Sequence, residues 1–199
     1  MKKIDNVKKI VGISIILLIV FICIYAVFII IPNRDTTGET KEVEKIKYGY
    51  IQYNRDNSLY KDIFNELKSE LENETIDYKK YAEYISKLFI IDLYTLNNKN
   101  SKDDIGGIQY LKEEVKDNFI LNASNTMYKY IGVDNTTLPE VNSIELVSII
   151  ENKYIIGSSE YNSYDVSLKW DYKKDLGYDK TGKIVLIKDG EQLYIVEKE

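Results

Sequence analysis

The sequence predicts an α+β domain carried on one N-terminal transmembrane helix, with further helices packed on a curved antiparallel meander. Three observations carry that expectation. Residues 10–31 hold no charge, apolar residues then recur about every four positions, and after Pro139 the period drops to two.

The uncharged run is read as a membrane anchor. Of its 22 residues, 17 are Ile, Leu, Val or Phe, and a helix of that length spans about 33 Å at roughly 1.5 Å per residue. A hydrocarbon core is roughly 30 Å thick. A cleaved signal peptide fits poorly. Ile24 stands two positions before Ala26, where a small residue is needed, and the run continues through Val27-Phe28-Ile29-Ile30-Ile31. Bulky Ile22 argues against lipidation of Cys23 in the same way. Lys2, Lys3, Lys8 and Lys9 precede the run and only Arg34 closely follows it, which predicts a cytoplasmic tail at 1–9 and an extracytoplasmic remainder. The expected location is therefore a cell membrane, crossed once. The 30 Ile and 25 Lys against two Arg point to AT-rich codons and a bacterial source.

Pro32 ends the anchor. Residues 32–47 read as a solvated linker and 48–199 as one domain. Leu59, Ile63, Leu67 and Leu71 mark a first helix, with Asn57 or Ser58 as its cap. A second opens near Thr75 or Asp77 and carries Tyr78, Ala82, Ile85, Phe89, Leu93 and Leu96 on one stripe. Ser101 followed by Asp104 suits the start of a third, which continues through Ile108, Leu111, Val115 and Phe119 and resumes through Met127 and Ile131. Strand alternation follows at 144–151 and again at 165–172, where Val166, Leu168, Trp170 and Tyr172 share a face. Residues 183–198 read as two strands around the turn dipeptide Asp189-Gly190.

Composition excludes several chemistries. With no histidine and a single cysteine, Ser-His-Asp and Cys-His nucleophile pairs, histidine metal sites, thiolate clusters and intrachain disulfides are all out of reach. The N-terminal tail carries four lysines and one aspartate, so the rest of the chain holds 23 basic and 31 acidic residues, a net −8. Such an acidic domain is a poor match for nucleic acid, which needs a clustered basic footprint.

The order of tail, anchor, helices and meander, closing on G-K-I-V-L-I-K-D-G-E-Q-L-Y-I-V-E (182–197), resembles the cone-shaped, nuclear-transport-factor-like α+β superfamily. In single-pass form it is similar to the outer domains of assembly subunits of conjugative and type IV secretion machines. That resemblance implies a partner-binding or scaffolding domain, in a superfamily that also hosts enzymes.

Local motifs add no chemistry of their own. Gly177-Tyr178-Asp179-Lys180-Thr181-Gly182-Lys183-Ile184 approaches a phosphate-binding loop, but Ile184 replaces the magnesium-holding Ser or Thr and a strand pattern follows instead of a helix. Asp171, Asp175 and Asp179 lack the alternate spacing of a calcium loop, and Lys173 and Lys174 sit between them. Asp103-Asp104 with Gly106-Gly107 reads as a helix start, with a ligand-facing loop as its functional alternative.

The expected function is therefore non-enzymatic: protein–protein interaction or self-association by an anchored extracytoplasmic domain, without cofactor, metal or nucleic acid. The alternative is a small-ligand or peptide sensor. Tyr84, Ile91 and Tyr94 lie off the main stripe of the second helix and are the candidate interface; Leu168, Trp170 and Tyr172 are the candidate pocket.

Overall fold

Among the described residues three α-helices precede four strands, as local sequence dictates. The computed structural model describes residues 45–53, 57–133 and 137–199. The predicted anchor at 10–31 and the linker up to residue 44 lie outside the described residues. Among the described residues no helix is long and apolar enough to cross a membrane.

Helix α1 (Ser58–Leu71) starts where Asn57 Oδ1 accepts the amide of Tyr60 at 3.0 Å. It buries Tyr60, Ile63, Phe64, Leu67 and Leu71. Ile63, Leu67 and Leu71 of the predicted stripe are buried, Leu59 is only partly so, and Tyr60 and Phe64 widen the buried face. Glu70, near its end, is also buried and its Oε1 accepts the amide of Asp77 at 2.7 Å. Asp77 in turn caps α2 (Tyr78–Tyr94), accepting from the amides of Lys79 and Lys80 at 2.9 and 3.3 Å. One carboxylate closes the turn and the next opens the following helix.

Helix α2 is apolar nearly all round because it is covered on two sides, by α1 and by the sheet. The third helix, α3 (Glu113–Asn125), begins later than predicted. Residues 101–104 form a turn instead, in which Ser101 Oγ accepts the amide of Asp103 and the Ser101 carbonyl accepts that of Asp104. Gly106 and Gly107 then lie directly on α2. A β-carbon on Gly106 would stand 2.0 Å from the Asp92 carbonyl oxygen, and Gly107 takes φ 78°, which favours glycine. No helix can run through that contact.

Strands β1 (Val141–Ile156), β2 (Ser159–Tyr172), β3 (Thr181–Asp189) and β4 (Gln192–Lys198) form an antiparallel meander in the order β1-β2-β3-β4. The first two are longer than predicted and turn through Gly157-Ser158, with Ile156 paired to Ser159. The last hairpin turns through Gly190-Glu191, because Asp189 still pairs with Gln192; Gly190, at φ 62°, takes the first turn position. The helix side of the sheet buries Val166, Leu168, Trp170, Ile184, Leu186, Leu193 and Ile195.

Residues 45–53 belong to this body. Gln109 grips the backbone of Ile51, accepting its amide at 2.9 Å and donating to its carbonyl at 3.1 Å. Tyr50 is buried, shares a 2.7 Å hydroxyl–hydroxyl hydrogen bond with Tyr81, and lies 3.1 Å from the Leu193 carbonyl. Domain packing thus begins a few residues before position 48.

Candidate functional site

Two features stand out on the described surface: a groove at one end of the helix layer, and a free sheet edge. The groove has a volume of about 430 Å³ and lies between the end of α2, helix α3, the β2–β3 loop and the last residues of β4. Its apolar lining includes Tyr94, Phe119, Ala123, Met127 and Tyr178, and Asp179 and Lys198 supply the charge.

Tyr94 links the groove to the core. Its hydroxyl donates to Asp179 Oδ2 at 3.1 Å, and its ring centroid lies 5.3 Å from that of Trp170. Behind it, Trp170 Nε1 donates to the Tyr172 hydroxyl at 2.9 Å, and that hydroxyl donates to the Asp179 carbonyl at 2.7 Å. This relay holds the β2–β3 loop against the sheet. Burial first, and the Asp179 carboxylate second, push the Tyr94 phenol well up; burial pushes the Tyr172 phenol up to about 12. Both are neutral donors at ordinary pH. Lys198 Nζ stands 5.5 Å from the Tyr94 ring centroid, a loose cation–π distance. Chemically the groove can hold an amphipathic group by its apolar body and its charged end.

The predicted site residues separate. Leu168, Trp170 and Tyr172 are buried and are not themselves among the groove's lining; of the three, Trp170 and Tyr172 lie against the Tyr94 ring, at 5.3 and 6.4 Å between centroids. Of the candidate interface, Ile91 and Tyr94 are only 1% and 4% exposed. Tyr84 is half-buried beside Glu66 and Glu70, on the seam with α1. These three residues do not form an exposed line, because α1 and the sheet cover the faces of α2 that carry them.

The three aspartates of the β2–β3 region also part company. Lys180 Nζ sits 3.1 Å from Asp171 and 2.8 Å from Asp175, which holds both carboxyls below their usual range, whereas Asp179 turns to Tyr94. Among the described residues no acidic, cysteine or histidine cluster could hold a metal ion. The stretch resembling a phosphate-binding loop leads into β3, with Lys183 paired to Glu199 at 2.7 Å.

Sequence reading missed the sheet edge. At the β4 side the edge is covered: Leu111 bridges Ile195, and the Lys112 amide donates to the Ile195 carbonyl at 2.8 Å. At the β1 side, among the described residues, no strand pairs with the outer edge. That edge strand also exposes Val147 (64%), Ile150 (60%) and Ile155 (68%). The sequence signal was Ile149-Ile150 and Ile155-Ile156, aliphatic pairs on a strand that turns out to be peripheral. No family model, curated protein or solved structure matches the chain.

Proposed function

We propose that the protein is a single-pass membrane protein whose extracytoplasmic α+β domain binds another protein through the outer edge of β1, in a bacterial envelope or conjugation assembly. The observation that carries this reading is the asymmetry of the sheet. One edge is shielded by residues 111–112, while among the described residues nothing pairs with the edge of the longest strand, on which Val147, Ile150 and Ile155 are exposed. Unshielded edges of this kind accept a further strand, and soluble domains normally blunt them. Membrane attachment rests on the uncharged run at 10–31, and orientation on the four lysines before it.

A photo-reactive residue at Ile150 in the full chain, irradiated in intact membranes, tests the binding surface. Covalent adducts are expected there and none from the same probe at Gly132, which lies outside the sheet and where an added β-carbon would meet nothing within 4 Å. No adduct at Ile150 would overturn the reading. Orientation has its own check: protease added to protoplasts should remove residues 33–199 and leave a small membrane-bound fragment.

The second reading, a sensor for a small amphipathic ligand, is favoured by the groove beside Tyr94. Binding there would change the emission of Trp170, the chain's single tryptophan, through its contact with Tyr94.

A further inference from the structure

Deepening the β1-edge reading and resting on it, we infer that the partner is a second copy of this chain, joined edge to edge about a two-fold axis at Asn152. The juxtaposition that carries this is the self-complementary order of the strand from Ile149 to Ile155, within the part of β1 that follows its bulge.

In an antiparallel pair, opposed side chains lie on the same side of the sheet. A two-fold axis perpendicular to the sheet keeps each face on its own side, so it must pass through a single residue. Ile149, Glu151, Lys153 and Ile155 share the helix side: Ile149 pairs with buried Val166, and Glu151 lies 2.9 Å from Lys79 of α2. Ile150, Asn152 and Tyr154 point the other way, where the Tyr154 hydroxyl donates to Glu197.

With the axis at Asn152, each Glu151 faces a Lys153 and each Ile149 faces an Ile155. On the far side each Ile150 faces a Tyr154. Shift the axis to Glu151 or to Lys153 and like charges oppose each other at the centre, while Lys153 or Glu151 faces an isoleucine. Only the Asn152 register pairs charge with opposite charge and apolar with apolar. The intramolecular pairs that would be exchanged, Lys79–Glu151 and Lys153–Glu160, join side chains more than half exposed and hold little. The interface is isologous and closes, so it ends at two copies and an eight-stranded sheet.

Disulfide trapping in membranes tests this with the full chain and Cys23→Ser as background. Residues opposed across an antiparallel pair have Cα atoms about 4.5–5.5 Å apart, inside the range of roughly 4.4–6.8 Å that a disulfide needs. Asn152→Cys should therefore give a covalent dimer on mild oxidation. Ile156→Cys should not, because its two copies would stand about 27 Å apart along the strands. Co-expressed Glu151→Cys and Lys153→Cys chains should cross-link to each other. Lys153→Glu should lower the dimer yield of Asn152→Cys about tenfold, and adding Glu151→Lys should restore it. Equal cross-linking at 152 and 156, or none at 152, would overturn the dimer. If adducts from a photo-reactive residue at Ile150 then carry a mass other than this chain's, the edge binds a different protein and only the two-fold dimer fails. If there are no adducts at all, both readings fail.

Discussion

Lys99 Nζ lies 2.5 Å from Asp92 Oδ1, and both side chains are withdrawn from solvent, at 0% and 5% exposure. The other oxygen, Asp92 Oδ2, accepts the amide of Gly107 at 2.7 Å. One carboxylate on α2 thus fastens both ends of the following loop. Tyr128 completes the fastening, accepting from the amide of Gly106 at 3.0 Å and donating to the Leu93 carbonyl at 2.8 Å. The last turn of α2, which carries Tyr94 into the groove, is positioned by this cluster.

Replacing Lys99 alone with methionine should therefore be costly. A carboxylate would remain buried without its ammonium, and breaking such a pair from one side costs roughly 3–5 kcal/mol. The double variant Lys99→Met/Asp92→Asn should recover much of that, because the amide oxygen can still accept from Gly107. Urea unfolding of both variants measures the difference. Equal losses would mean that the pair does not act as a unit.

Gly106→Ala should destabilise the domain by about 2 kcal/mol or more, since a β-carbon there meets the Asp92 backbone at 2.0 Å and backbone cannot swing aside. At roughly 2–4 °C per kcal/mol, the melting midpoint should fall by about 4–8 °C. An unchanged midpoint would show that the loop does not lie on α2.

What could be read from the sequence was local. The Asp77 cap and the buried alternation of Val166, Leu168 and Trp170 are set by residues within a few positions of one another. The reach of β1 and β2 was hidden, because both carry polar side chains where the hairpin leaves the helix layer, as at Asn152, Lys153 and Asn162. Lys99 stands in a polar run, Asn97-Asn98-Lys99-Asn100, and its burial depends on a loop folding back onto α2. The apolar girdle of α2 was visible, but which neighbour covers each side is a tertiary fact. Tyr84, Ile91 and Tyr94 consequently went to a seam, the core and a groove.

Gln109→Leu should release residues 45–53 while leaving the helices and sheet folded. The side chain makes two hydrogen bonds to the Ile51 backbone and a third, at 3.2 Å, to the Tyr60 hydroxyl. Hydrogen exchange at the Ile51 amide should quicken, and proteases should cut within 45–53 well before the rest of the domain. Unaltered exchange at Ile51 would show the clamp to be dispensable.

Alkali should unfold the domain through its tyrosines. Burial raises Tyr50, Tyr81, Tyr94 and Tyr110 well above the ordinary phenol value, and takes Tyr172 to about 12. The folded state therefore favours the neutral phenol. The stability this supplies is complete below a pH of about 10, where unfolded tyrosine ionises, and is lost as pH rises through the folded values. Absorbance should report the buried set ionising only as circular dichroism is lost. One smooth titration of an intact fold would contradict the buried hydroxyl pairs.

The last prediction separates the two parts of Tyr94. Tyr94→Phe removes only the hydroxyl and its hydrogen bond to Asp179, which should cost about 1 kcal/mol. The ring would still cover Trp170, so indole emission should stay near that of the parent. Tyr94→Ala removes the ring as well and should cost roughly 3–5 kcal/mol, in line with a large aromatic deleted from a buried position. It also opens the groove floor onto Trp170, whose emission should shift to the red as water reaches it. Because the chain has one tryptophan, that signal reports this position alone. Unshifted emission in Tyr94→Ala would mean that another side chain shields the indole, and the groove would then have no optical link to the core.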